Sequence, residues 1–157
     1  MSLVKVLYKP KAMSHIKIWV HAVWGTKNRE PVLKPPVLEQ VRAHIKDNAG
    51  KKGIMLDRIN GHDDHMHALM LLKNDYSIAK QMRLLKGESS YWANQIELVK
   101  DGLEWADKYF AASVSDDKID FVRAYIDNQQ VHHQKMTFME EYRHFILSLG
   151  YKEVDFG

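Results

Sequence analysis

Residues 65–72, His-Met-His-Ala-Leu-Met-Leu-Leu, constrain this chain more than any other stretch. An apolar run of that length reads as a buried central β-strand. Side chains alternate faces along a strand, so His65 and His67 leave one face together, about 7 Å apart along the backbone. Met66 turns to the other face. Packing alone gives a buried strand no use for two polar rings, which need partners wherever they are desolvated. The two imidazoles stand close enough to converge on one divalent ion. Two donors do not complete a catalytic metal site, which usually takes three and leaves a position open. The rest of the chain has to supply a third donor and a group that does chemistry.

Length and composition narrow the setting. A chain of 157 residues is enough for one domain with a real core. The stretch 1–12, MSLVKVLYKPKA, has no clear pattern and reads as a leader or loose arm, leaving a single domain over 13–157. With no cysteine, disulfides, thiolate zinc sites and cysteine nucleophiles are excluded, and a reducing cytoplasm is the expected compartment. No apolar stretch is long enough for a membrane span. Net charge is +3 but unevenly distributed: residues 1–52 hold 11 Lys/Arg against 3 Asp/Glu. A basic N-terminal third suits a polyanion such as nucleic acid.

Periodicity sets the order of elements. Ile16, Ile18, Val20, Ala22 and Trp24 alternate, which predicts a strand over 15–24. Pro35-Pro36 opens a helix carrying Val37, Leu38, Val41 and Ile45, closed by the glycines and lysines of 48–53. A second strand is expected over 54–59, with Asn60-Gly61 as a hairpin turn into the histidine strand. Asn74 to Ser77 caps a second helix through Ile78, Met82 and Leu85, which Gly87 interrupts before a further stretch, 90–99. A fourth strand is expected over 108–114. Ser115-Asp116-Asp117 then caps a helix with Ile119, Val122, Tyr125, Ile126 and Gln129 on one stripe, and 138–149 forms a last amphipathic helix. The order βαββαβ is the ferredoxin-like α+β pattern, an antiparallel sheet with helices on one face.

Gln129 is the anomaly on that stripe, because an amide among apolar residues has to be satisfied. Tyr125 and Gln129 are spaced i, i+4 and share a helical face. A phenol and an amide oxygen offered together suit a metal-assisted displacement at phosphorus, the amide completing the coordination and the phenol attacking.

His65-Met66-His67 and Tyr125-Ile126-Asp127-Asn128-Gln129 resemble the two signatures of the single-tyrosine HUH transposases, in which U is a bulky apolar residue. The resemblance runs from about Ser14 over most of the chain. It takes in Trp24 to Arg29, Asp64, Leu85 to Ser90, Ser113 to Ser115, His132-His133 and Glu140-Glu141-Tyr142. It implies a transposase that cuts and rejoins single-stranded DNA beside a hairpin at the ends of a small insertion element. On this resemblance His65, His67 and Gln129 bind Mg²⁺ or Mn²⁺, and Tyr125 forms a 5′-phosphotyrosine. The family implies a homodimer, typically with the tyrosine helix of one subunit completing the metal site of the other. Proline commonly precedes the Asp-His-U-His run, and Asp63 stands there instead, a candidate extra oxygen ligand beside Asp64.

Lys27, Arg29, Arg83 and Lys86 are candidate phosphate contacts, and Trp19, Trp24 and Trp92 are candidates for stacking unpaired bases or for the core. His62 suits a surface role better than ligation. Three other readings share parts of this pattern: a domesticated REP-associated tyrosine transposase, a catalytically inactive ferredoxin-like nucleic-acid-binding regulator, and a phosphodiesterase that uses water.

Overall fold

The computed structural model describes residues 14–132 and 137–148. The 1–12 arm, His133, and the side chains of His132 and Tyr142 lie outside the described residues. Strands β1 (Trp19–Thr26), β2 (Leu56–His62), β3 (His65–Leu71) and β4 (Trp105–Val114) form one antiparallel sheet in the order β2-β3-β1-β4. Helices α1 (Val37–Lys51) and α2 (Ile78–Gln95) make the two crossovers. This is the α+β, ferredoxin-like arrangement expected from the βαββαβ order. After β4 come a 3₁₀ turn (Asp116–Lys118), α3 (Ile119–Asp127), the short α4 (Gln129–His132) and α5 (Phe138–Ser148).

Strand periodicity divides the core in two. Val20, Ala22 and Trp24 of β1, with Met66, Ala68 and Met70 of β3, pack under Leu38, Val41, Ile45, Met82 and Leu85 of α1 and α2. The alternate residues Trp19, Val23 and Leu69 pack instead under Ile119, Val122 and Ile126 of α3 and Phe145 and Ile146 of α5. His65 and His67 fall on this second face, beneath the tyrosine helix. The sheet's central strands are thus buried on both sides, which explains why β3 reads as an unbroken apolar run.

Several boundaries differ from the sequence expectation. β1 starts at Trp19, and the side chains of Ile16 and Ile18 are exposed. Asn60-Gly61 is not the hairpin turn. Both residues lie inside β2, opposite His67 and Met66, and the turn is Asp63-Asp64 between the paired His62 and His65. Each has another use. The Asn60 amide donates to the carbonyl of Ile126 at 2.9 Å and contacts Asp127 O at 3.4 Å, which ties β2 to the end of α3. Gly61 is a matter of clearance, since a Cβ there would stand 2.3 Å from His65 O and 2.7 Å from Met66 Sδ. Gly61→Ala is therefore expected to cost about 1–3 kcal/mol or more through forced repacking. A fall in thermal midpoint of several degrees would show it; an unchanged midpoint would refute the close fit.

α2 runs through Gly87 without interruption, because Gly87 meets only open space and Ser89 and Ser90 return their hydroxyls to the carbonyls of Leu85 and Lys86. It stops at Gln95 rather than Val99, where Asn94 turns its amide onto the backbone of Leu103. β4 begins earlier than expected, at Trp105, whose indole donates to Ser89 Oγ at 3.0 Å. The stripe from Ile119 to Gln129 is not one helix. α3 ends at Asp127 and Gln129 opens α4. An unbroken helix would direct the N–H of residue 130 to Ile126 O; Asn60 occupies that carbonyl, and the chain turns.

Candidate active site

The histidine pair is wholly buried, and each ring is gripped through its Nδ1. Nδ1 of His65 lies 2.8 Å from Asp64 Oδ1, and Nδ1 of His67 lies 3.0 Å from Nε2 of His21. The ring centroids of His65 and His67 are 5.2 Å apart. Since an ionised carboxylate can only accept, His65 Nδ1 carries the proton of the neutral ring, and its Nε2 presents a lone pair.

Nε2 of His65 faces Gln129 Oε1 at 3.2 Å. The amide is held that way round by its other end: Gln129 Nε2 donates to the Tyr125 carbonyl and to Glu141 Oε1, both at 3.3 Å. His65 Nε2 and Gln129 Oε1 thus stand 3.2 Å apart, close enough to hold one cation together. Neighbouring donors on an octahedral ion with bonds of about 2.0–2.1 Å lie about 3 Å apart. Two imidazole nitrogens and an amide oxygen make a neutral donor set of the kind that suits a divalent cation. Among the described residues no group of three or more His, Cys, Asp or Glu side chains is placed to hold an ion, so the amide is indispensable to such a site.

Tyr125 completes the cluster. Its hydroxyl donates to Glu141 Oε1, its ring stacks on Phe145 at 4.2 Å, and its centroid is 5.5 Å from that of His67. Although α3 ends between them, Tyr125 and Gln129 meet at the site as their spacing implied. Within the one chain, both reach its own histidines.

Sequence reasoning missed His21 and gave Glu141 no role beyond its place in the Glu140-Glu141-Tyr142 stretch of the resemblance. His21, wholly buried, sits between Trp19 and Val23 on the histidine face of β1; burial pushes its imidazole down to about 3, so the ring is neutral. The signal was available, since a histidine in the middle of an apolar strand poses the same question as His65 and His67. Glu141, 4% exposed, shares the apolar stripe of α5 with Phe145. An acid four residues before a buried phenylalanine marks the same kind of anomaly as Gln129.

The remaining candidates are distributed around this centre. Asp64 joins it through His65, whereas Asp63 stands in the hairpin turn 3.9 Å from His62 Nδ1 and lines a cleft with Arg42, Asn60 and Gln130. Arg29 is exposed at the rim beside Asp64; partial desolvation lowers its pKa, and the Asp64 charge partly opposes that. Gly25 leaves room for it, as a Cβ there would come within 2.9 Å of the guanidinium. Lys27 is exposed and paired with Glu104 at 2.9 Å. Arg83 is exposed on α2. Lys86 is directed to the carbonyls of Ala106 and Asp107, at 2.7 and 3.0 Å, and burial lowers its pKa. Trp19 and Trp24 are buried in the two cores, and Trp92 stacks on His44 at 3.9 Å. None of the three tryptophans lies in the cluster.

Comparison with known proteins bears on the fold and the family. Among curated proteins none matches the chain. A crystal structure of a "putative transposase" from Deinococcus radiodurans R1 superposes with a TM-score of 0.60 at 26% identity, covering 76% of this chain and 96% of that one. A REP-associated tyrosine transposase bound to a REP hairpin shares the fold with a TM-score of 0.57 at 15% identity, covering 94% of this chain and 90% of that one. The family description "Transposase IS200 like" matches residues 14–129, a span that begins before β1 and ends on Gln129. Because that span includes both histidines, Tyr125 and the amide that faces His65, the chain belongs to the IS200-like transposase family.

Proposed function

We propose that this protein cuts and rejoins single-stranded DNA at the hairpin-bearing ends of an insertion element, through a 5′-phosphotyrosine on Tyr125. The observation that carries the reading is the meeting of the Tyr125 phenol, the His65–His67 pair and the Gln129 amide in one buried cluster. His65, His67 and Gln129 would hold Mg²⁺ or Mn²⁺, which when bound supplies a Lewis acid at the scissile phosphate. The fold neighbour solved with a REP hairpin supports hairpin DNA as the ligand class.

Free tyrosine ionises near pH 10, so the phenol needs help to attack at neutral pH. Glu141 Oε1 is the acceptor toward which the phenol proton points. The Tyr125 oxygen bonds to phosphorus, the P–O3′ bond breaks, and the departing oxygen takes a proton to become a 3′-OH. Phenolate is a good leaving group, so a later 3′-OH reverses the step without an external energy source. Arg29, Lys27 and Arg83, with the basic residues of the N-terminal third, would supply phosphate contacts to the strand. The chain acts as a homodimer, with edge strands β2 and β4 as the available joining surfaces. A domesticated REP-associated role shares this chemistry and differs in the DNA acted upon.

The test uses a labelled single strand carrying a hairpin, with Mg²⁺ present. The reading expects binding that prefers this strand over the paired duplex and weakens steeply with salt, together with a denaturation-resistant protein–DNA species. Equal affinity for duplex and no such species would overturn it.

A further inference from the structure

We propose that His21 sets the tautomer of His67: its Nε2 accepts the proton of His67 Nδ1–H, which leaves His67 Nε2 unprotonated for a cation. This inference rests on the reading of His65, His67 and Gln129 as the metal-holding set. His21 itself is a positioning residue, acting through the ring it touches.

The argument starts from proton counting. His21 Nε2 and His67 Nδ1 lie 3.0 Å apart, so one of the two nitrogens donates and the other accepts. If His21 donates, neutral His67 carries its proton on Nε2 and its only lone pair is already used. It then has no nitrogen to offer a metal. If His67 donates, its Nε2 carries the lone pair. The neighbouring ring shows the second arrangement independently: His65 is gripped at Nδ1 by Asp64 and turns Nε2 to Gln129 Oε1. A histidine that binds metal through one nitrogen usually gives its other N–H to an acceptor, and that acceptor fixes the ring's orientation. Asp64 is that acceptor for one ring, and His21 for the other.

The state of His21 argues that it is kept for this purpose. It is wholly buried, and its Nδ1 has no hydrogen-bond partner among the described residues. An orphaned polar nitrogen in a core lowers stability, and an apolar side chain of similar shape would remove that cost. The ring is also firmly held, lying nearly parallel to His67 (22°, centroids 5.2 Å apart) and edge-on to Phe145 at 4.9 Å. A ring fixed in this way holds its Nε2 toward His67 in one orientation.

Two measurements on the full chain test the assignment. Long-range ¹⁵N–¹H spectra of the metal-free protein should show His67 as the Nδ1–H tautomer; the Nε2–H tautomer would overturn the proposal. Next, His21→Phe should weaken Mn²⁺ binding, followed by electron paramagnetic resonance, by about 10–100-fold. Its thermal midpoint should shift little, because removing the orphaned His21 Nδ1 is offset by leaving His67 Nδ1–H without its acceptor, and affinity for the hairpin strand should be unchanged. His21→Gln, which keeps an acceptor oxygen, should recover part of the Mn²⁺ affinity. Wild-type Mn²⁺ affinity in His21→Phe would also overturn the proposal. If wild-type protein takes up no Mn²⁺, the metal reading fails by itself, and the tautomer spectrum still decides the role of His21. The same spectrum decides should His21→Phe not fold.

Discussion

Tyr125→Phe is expected to abolish the covalent protein–DNA species, lowering its rate of formation by at least about four orders of magnitude, as loss of a nucleophile does elsewhere. The substitution removes one oxygen and nearly conserves volume, so the stacking of the ring on Phe145 and the packing of α3 persist. It is not silent structurally, because Glu141 loses the hydrogen bond that Tyr125 donates. That loss costs about 1–3 kcal/mol, which a melting curve would register while the protein remains folded. Hairpin binding should be retained. A water nucleophile predicts the opposite result: the Phe variant continues to cut and the wild type forms no adduct. A denaturing gel of the two proteins side by side distinguishes these outcomes.

Loss of either imidazole, or chelation of divalent metal, is expected to have an effect of similar size on cleavage. His65→Ala and His67→Ala each remove a Nε2 donor and should reduce strand cleavage to background. Hairpin affinity should stay within about twofold, since the ion acts at the scissile phosphate rather than at distant backbone contacts. Both rings are 0% exposed, so an alanine at either position also opens a cavity. Chelation is the cleaner arm for that reason. Removing metal from the wild type should stop cleavage, and added Mg²⁺ or Mn²⁺ should restore it with no change of fold. Cleavage that continues under chelation and in both alanine variants would contradict the metal reading.

The elements legible in sequence were those whose signal is local. Alternation exposed β1 and β3, and the i, i+2 spacing by itself put His65 and His67 on one face. The i, i+4 spacing brought Tyr125 and Gln129 together even though the helix breaks between them, because the turn at Asn128 keeps Gln129 on the same side. What stayed hidden depends on contacts between distant segments. Asn60-Gly61 carries the composition of a turn, yet Asn60 is engaged 66 residues away at Ile126, and Gly61 answers to the close approach of β3. Gly87 looks like an interruption, but helix geometry tolerates a glycine that faces open space. His21 and Glu141 become meaningful only once β1 lies beside β3 and α5 lies over α3. Nothing in their own neighbourhoods fixes those partners. Lys86 shows another limit: its charge reads as a phosphate contact, and only the fold shows that it also reaches two carbonyls of β4.

The most direct test of the central claim is the chemical identity of the bond between protein and DNA. Wild-type protein would be incubated with a hairpin-bearing single strand and Mg²⁺, denatured, digested with nuclease and protease, and its peptides analysed by mass spectrometry. The account predicts a peptide containing Tyr125 that carries a nucleotide through its 5′-phosphate, with a free 3′-OH on the released fragment. A free 5′-phosphate with no peptide attached, or a nucleotide carried by any residue other than Tyr125, would contradict it.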